Sequence, residues 1–517
     1  MINHLPVLLV ATPLIAAPFC LILRNRNLVR LLATAVAACS LWASLVLIGH
    51  LMGGGAEPAY TKYIAYNTAA WAPPLGIELR VDALNAFILL ILSGIATVVF
   101  PYGFGTQGVS GPEGKEHLFY AALLLCFCGL VGITVTGDAF NVFVFVEIAS
   151  LSSYTLISLG QHRRATMAAF AYLVMGTIGG TFILIGIGFI FALTGTLNMQ
   201  EIVTRLPAVI DSSTAVVALA FLCLGTAIKL AIFPLYQWLP NAYTYAPSKV
   251  SAFLSATATK VSYYVLLRIT FGLFGAAYVF GKLHLDTLLL VLGILAMFIG
   301  STAAIYQTNV KRLLAYSSVA QIGYMILGIA LMNQSGLTGG IVHLFNHALM
   351  KCGLFLAVGC VAYRVGSNEL KDFAGLMRQM PVTMWAFIVG GLSLIGVPGT
   401  VGFVSKWYLV LGALQAELYS VAVLTLLSSL LAVIYIWRVV EVAVFQKPEV
   451  EREVKEAPMS MLVPTWIMMI AAVYFGFDTG LTVDVAHTAI EALIHGGPEA
   501  GREATAQMMG FTFGGAK

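Results

Sequence analysis

Stretches of about twenty mostly apolar residues, separated by glycine, proline or charge, succeed one another along nearly the whole 517-residue chain. An α-helix rises about 1.5 Å per residue and a bilayer's hydrocarbon core is about 30 Å thick, so each stretch is long enough for one crossing. In hydrocarbon every backbone N–H and C=O has to be satisfied within the segment, which leaves the helix as the spanning unit. With 60% hydrophobic and 10% charged residues, the chain is far more apolar than a soluble globular protein. It reads as an all-α polytopic membrane protein with about 14 transmembrane helices. They fall near residues 4–22, 30–52, 81–103, 117–136, 139–160, 166–193, 214–235, 248–273, 286–305, 312–332, 338–363, 382–411, 418–440 and 461–477.

Two stretches carry their own interruption. The seventh runs into Phe233-Pro234 and Trp238-Leu239-Pro240, and the twelfth contains Gly396-Val397-Pro398-Gly399. Pro234, Pro398 and Gly399 are the expected break points, and a broken helix at membrane depth is tolerated only where protein or a water-lined cavity takes up the freed backbone groups. The first stretch lacks a basic leader and is followed directly by others, so it is expected to be a crossing rather than a cleaved signal. Past the last stretch, the pattern from Val483 to Leu493 suggests a short surface helix followed by a glycine-rich tail.

Lysine and arginine are unevenly shared between the loops. One alternating set holds Arg24, Arg26, Arg30, Lys115, Arg163, Arg164, Lys249, Lys311, Arg312, Arg364, Lys371, Arg378, Lys447, Arg452 and Lys455. The other set, with both termini, holds only Lys62, Arg80, Arg205, Lys282, Arg502 and Lys517. The positive-inside rule places the first set in the cytoplasm and both termini outside it, as expected for a bacterial inner-membrane protein. This distribution accounts for the net charge of +4 without invoking nucleic acid. The seven cysteines (Cys20, Cys39, Cys126, Cys128, Cys223, Cys352 and Cys360) lie in apolar stretches without a CxxC or Cys/His ligand spacing, and are expected to serve as packing.

Within the predicted crossings sit Glu147, Lys229, Lys260, Arg268, His343, His347, Lys351, Lys406 and Arg438. One such group at the bilayer centre costs about 2.5–3.5 kcal/mol on insertion scales, so a set of them needs a reason. Arg268 and Arg438 stand near helix ends, where snorkelling or a structural ion pair suffices. The others lie deeper. Glu147 heads a polar stripe, with Ser150, Tyr154 and Ser158 following on the same helical face. His343, His347 and Lys351 are spaced i, i+4, i+8 and stack along one face beside Asn346. Imidazole titrates near neutral pH, and a desolvated lysine can give up its proton, so such a line can pass protons. Metal is the competing reading of a His pair one turn apart, but no HExxH and no third ligand at a zinc spacing accompanies it. No cofactor motif, P-loop or catalytic triad is present, which points to a transporter rather than a chemical enzyme.

Several of these segments together resemble the antiporter-like subunits shared by Mrp-type Na⁺/H⁺ antiporters and respiratory complex I, and are most like the D-type subunit of Mrp. They are Trp71-Ala-Pro-Pro-Leu-Gly-Ile with Asp82, Phe145-Val-Glu147, and Lys229-Leu-Ala-Ile-Phe-Pro-Leu-Tyr-Gln-Trp-Leu-Pro-Asn-Ala-Tyr243. Then follow Ala246-Pro247 to Lys260, Lys311-Arg-Leu-Leu-Ala-Tyr-Ser-Ser-Val-Ala-Gln-Ile-Gly-Tyr324, His343 to Lys351, and Gly396-Val-Pro-Gly to Lys406. The resemblance implies helices 1–3 over residues 1–110, two inverted five-helix repeats over 111–275 and 276–446, and helix 14 with the tail over 447–517. It implies discontinuous helices 7 and 12. It also implies that Glu147 and Lys229 form an ion pair, that Lys260 is the central lysine, that His343, His347 and Lys351 link it onward, and that Lys406 is the terminal lysine. The implied function is proton movement along this relay within a multisubunit Na⁺/proton antiporter. The alternative is a proton-pumping subunit of a complex I or membrane-bound hydrogenase. The partners implied are other membrane subunits and the lipid bilayer, with protons, and Na⁺ as a second candidate, as cargo.

Overall fold

The computed structural model describes residues 2–53, 58–106, 114–448 and 453–510; Arg452 and Lys517, counted above among the loop charges, lie outside them. The described chain is a helical bundle with one small β ribbon. In order it forms α1 (Leu5–Leu23), α2 (Arg26–Met52), β1 (Ile64–Asn67), β2 (Glu78–Val81), α3 (Ala83–Val99), α4 (Glu116–Val135), α5 (Ala139–Ser158) and α6 (Arg164–Thr194). There follow α7 (Met199–Arg205), α8 (Ser213–Leu230), α9 (Trp238–Tyr245), α10 (Ser248–Leu267), α11 (Leu285–Ile305), α12 (Val310–Ala330) and α13 (Gln334–Val365). The chain closes with α14 (Leu376–Gln379), α15 (Pro381–Ile395), α16 (Val401–Gln415), α17 (Tyr419–Phe445), α18 (Met459–Phe477), α19 (Gly480–Gly496) and α20 (Glu499–Met508). Among the described residues twelve helices are long and apolar enough to cross a membrane, and α3 and α15 are shorter apolar helices. Together they occupy the fourteen stretches expected from hydropathy.

Both interruptions lie where two half-helices meet. α8 ends at Leu230 because Ala231 turns left-handed (φ 63°), and α9 restarts at Trp238. Pro234 lies between the halves, whereas Pro240 falls in the first turn of α9, where a missing N–H breaks no helical bond. α15 ends as Gly396 adopts φ 93°, Pro398 and Gly399 (φ 84°) fill the gap, and α16 starts at Val401. A positive φ is open to glycine without the strain a Cβ brings. Carbonyls freed at each break are taken up by a side chain. Trp238 Nε1 donates to Ile228 O at 2.9 Å, and Lys406 Nζ donates to Leu394 O at 3.0 Å and Ile395 O at 2.7 Å.

One further feature occurs twice, and close glycine contacts recur between helices. α5 is capped by Asp138, which pairs in a β-bridge with Asn198 beyond α6, and α12 is capped by Asn309, which pairs with Glu369 beyond α13. α6 and α8 touch backbone to backbone, since a Cβ on Gly225 would stand 2.6 Å from Gly179 O. α13 and α16 do likewise, since a Cβ on Gly412 would stand 2.6 Å from Gly336 N. Such small-residue contacts replace the hydrophobic effect as the means of holding helices together in lipid.

The 32-residue α13 runs through the middle, against α10, α12, α15, α16, α18 and α19. Three sequence expectations change. Arg30, Lys249 and Lys311, counted as loop charges, stand in the opening turns of α2, α10 and α12 and are at most 2% exposed. The C-terminal helix is not a surface helix: α19 docks on α3 and α13, burying Val483, Ala486, Ala489, Ile490 and Leu493, whose spacing makes one apolar stripe. Cys39 faces outward instead of into the packing.

Candidate functional site

Glu147 sits midway along α5 and Lys229 at the end of α8, where the break begins. Lys229 Nζ lies 3.8 Å from Glu147 Oε1 and donates to Ser150 Oγ at 2.7 Å. The Lys229 side chain is 7% exposed and that of Glu147 26%. Ser150, one turn on from Glu147, thus shares the ammonium with the carboxylate. Farther along the stripe Tyr154 packs edge-on to Tyr172, whose ring lies flat on Trp238 at 3.9 Å, and Ser158 ends α5 half-buried. Next to Lys229 is a cavity of about 40 Å³ bounded by Ser150, Tyr172, Thr226 and, on α10, Val261 and Ser262. That is room for water, with hydroxyls to hold it.

Lys260 lies on α10, next in sequence to Val261 of this cavity's lining, and is wholly buried. Its Nζ donates to Ser255 O and stands 3.4 Å from Thr259 Oγ1. On α13 the His343 and His347 rings stack at 5.9 Å with 13° between their planes. His343 Nδ1 meets Ser405 Oγ of α16 at 2.8 Å, and Asn346 Nδ2 donates to Val401 O at 2.6 Å. Neither nitrogen of His347 has a hydrogen-bond partner among the described residues. α10, which carries Lys260, and α16, which carries Lys406, both pack directly against α13. Lys351 turns to α12, donating to Leu314 O at 2.8 Å and to Ser317 Oγ at 2.5 Å. Tyr324 joins the far end, its ring 5.7 Å from that of His343 and 5.0 Å from Lys406 Nζ.

The structure therefore gathers Lys260, His343, His347, Lys351 and Lys406 around α13, and holds Glu147 with Lys229 as a separate pair beyond the small cavity. Pro234, Pro398 and Gly399 lie in the breaks beside Lys229 and Lys406. Among the described residues no group of three His, Cys, Asp or Glu side chains could hold a metal. Arg268 and Arg438 are tied differently: Arg268 Nη2 lies 2.6 Å from both carboxylate oxygens of Asp82, and Arg438 Nη1 donates to Gln307 O at 3.0 Å and to Ile305 O. Sequence reasoning missed the deep placement of Lys249, which meets Tyr120 Oη at 2.7 Å, and of Lys311, which donates to Ala246 O at 2.7 Å. Both stand where an apolar stretch begins, and composition there reads as loop.

Residues 136–432, more than half of the chain, match the family model described as NADH:quinone oxidoreductase/Mrp antiporter, TM. The chain belongs to this family. It is 40% identical over 500 residues to a protein named NADH-quinone oxidoreductase subunit N of Desulforudis audaxviator (strain MP104C), covering 92% of this chain and 96% of that one. It is 30% identical over 482 residues to the D-type subunit of a Na(+)/H(+) antiporter of Alkalihalophilus pseudofirmus, covering 92% and 94%. Among solved structures, a chain of the Mrp complex from Dietzia sp. DQ12-45-1b superposes with a TM-score of 0.86 at 24% identity, covering 98% and 99%. A chain of the membrane-bound sulfane sulfur reductase, an archaeal respiratory membrane complex, gives 0.86 at 27% identity, covering 98% and 100%. The protein is thus an antiporter-like, multi-pass membrane subunit of the Mrp or complex I type.

Proposed function

We propose that this subunit moves protons through Glu147, Lys229, Lys260, His343, His347, Lys351 and Lys406, as part of a multisubunit monovalent cation (Na⁺)/proton antiporter of the bacterial inner membrane. Its partners are then the other membrane subunits of that assembly, both its termini face away from the cytoplasm, and its core is a pair of inverted five-helix repeats. The twofold occurrence of breaks and capped bridges supports the repeats. One observation carries the relay. Lys260, Lys351 and Lys406 rest on carbonyls, hydroxyls and an aromatic ring, with no carboxylate within ion-pair distance among the described residues. A buried cation of that kind can lose its proton without stranding an anion, whereas Arg268, locked to Asp82, cannot. Glu147 supplies a negative charge beside the set, stabilising the ammonium of Lys229 when close and releasing it when solvated or protonated. A proton arriving at one lysine then raises the cost of charge on the next, and the relay needs no bond changes except at O–H and N–H.

The second reading is a proton-pumping subunit of a complex I or membrane-bound hydrogenase assembly, favoured by the 40% identical relative named subunit N. Purifying the assembly separates the two. Co-purifying iron–sulfur or flavin absorbance supports a redox machine, and Na⁺-dependent proton movement in vesicles supports the antiporter. In either assembly Lys260→Ala is expected to abolish coupled proton movement while the complex still forms. Normal transport by that variant would remove the relay.

A further inference from the structure

α6 faces the polar stripe of α5 with glycines one turn apart. A Cβ added to Gly180 would stand 2.1 Å from Glu147 Oε1, and one added to Gly176 would stand 1.9 Å from Tyr154 Oη. Around Gly180 the other nearest atoms are Glu147 Cδ at 3.2 Å and a ring carbon of Phe143 at 3.8 Å. Its neighbour Gly179 faces the other way, toward Gly225 O at 3.1 Å and Ile228 at 3.2 Å on α8. Two adjacent glycines therefore do separate things. Gly179 lets α6 and α8 approach. Gly180 leaves a hollow that only the Glu147 carboxylate enters.

We propose that Gly180 is the positioning residue for Glu147, and that its missing side chain sets how near the carboxylate stands to Lys229; this rests on the relay reading above. An alanine at 180 meets the free end of a flexible side chain and no backbone, so the fold can accept it. The carboxylate must then retreat by about 1 Å before reaching even a tight contact, and the 3.8 Å separation from Lys229 changes with it. Gly179→Ala, by contrast, pushes on the α8 backbone and is expected to act on stability.

The test uses the assembled complex in proteoliposomes, with initial proton uptake and the thermal unfolding midpoint measured for each variant. Gly180→Ala is expected to lower transport at least about fivefold, the scale of a coupled contact pair, with the midpoint unchanged or raised, because alanine favours helix over glycine. Glu147→Asp shortens the side chain by one methylene and empties the hollow, so in that background Gly180→Ala is expected to change transport less than about twofold. Where Glu147→Asp alone stops transport, the midpoint decides: Gly180→Ala raises it more in a Glu147→Ala background than with Glu147 present. Wild-type transport by Gly180→Ala, the same fold-loss in both backgrounds, or an equal midpoint change with and without Glu147 would overturn the proposal. Wild-type transport by Glu147→Gln would instead overturn the relay reading itself.

Discussion

The Glu147–Lys229 pair can be tested as a unit by removing each partner and then both. At 3.8 Å and an effective dielectric constant of about 20, the Coulomb attraction is about 4 kcal/mol. Glu147 is about a quarter exposed, and screening there reduces the useful part to roughly 2–3 kcal/mol. Glu147→Gln leaves a buried ammonium held by Ser150 Oγ. Lys229→Gln leaves a carboxylate whose Oε1 already lacks a hydrogen-bond donor. Each single change strands a charge, and the double change strands none. The expected result is that the double variant is more stable than the sum of the singles predicts by about 2–3 kcal/mol, read by reversible unfolding in mixed micelles. Additivity to within about 0.5 kcal/mol would show that the two groups do not interact and would refute this account. Proton transport by the same variants adds a second reading: Glu147→Asp, which keeps the charge, is expected to outperform Glu147→Gln.

Lys406→Arg is expected to fail almost as badly as Lys406→Ala in vesicle proton uptake, because a guanidinium holds its proton to about pH 12 and cannot pass it on; a working arginine variant would leave Lys406 only a fixed charge. A cysteine placed at the exposed position 163 is expected to resist membrane-impermeant labelling from outside intact cells, and one at 63 to accept it; labelling at 163 would invert the topology. Burial and the neighbouring Arg502 hold the His495 imidazole below its ordinary range, so the folded state favours its neutral form. Charging it therefore costs α19 and α20 stability, which is intact above pH ~6.5 and declines as pH falls from there toward the lowered folded-state value. Hydrogen exchange over residues 480–510 is expected to quicken on acidification, and His495→Gln to flatten the response.

Helix positions were legible because the bilayer imposes a length on each apolar stretch, and the break at Gly396-Val397-Pro398-Gly399 was legible because those residue types admit few other conformations. The other break was only approximately so. Pro234 marks the neighbourhood, but the helix ends four residues earlier at Leu230, followed by a left-handed Ala231, a residue type with no intrinsic preference for that turn. The i, i+4, i+8 spacing put His343, His347 and Lys351 on one face, yet nothing in that spacing says that Lys351 turns away to Ser317 while His343 reaches Ser405. Those partners come from helices distant in sequence. Arg30, Lys249 and Lys311 misled for a related reason. Loop charge counting treats every basic residue at a boundary as solvated, and these three are covered by packing that only the folded bundle supplies. The role of Gly180 was invisible for the same reason, since an absent side chain matters only against what fills its place.

The order in which α13 meets its partners also bears on how the chain enters the membrane. Lys351 bonds to Leu314 and Ser317 on α12, which precede it in synthesis, so its ammonium has acceptors waiting. His343 and Asn346 bond to Ser405 and Val401 on α16, which emerge from the ribosome only later. During that interval the middle of α13 carries an imidazole and an amide with no mate, and the helix must be retained by its length of 32 residues and by the helices already beside it. The arrival of α16 then supplies both partners and, on the same helix, Lys406, so insertion of the second broken helix and the pairing of His343 and Asn346 are one event.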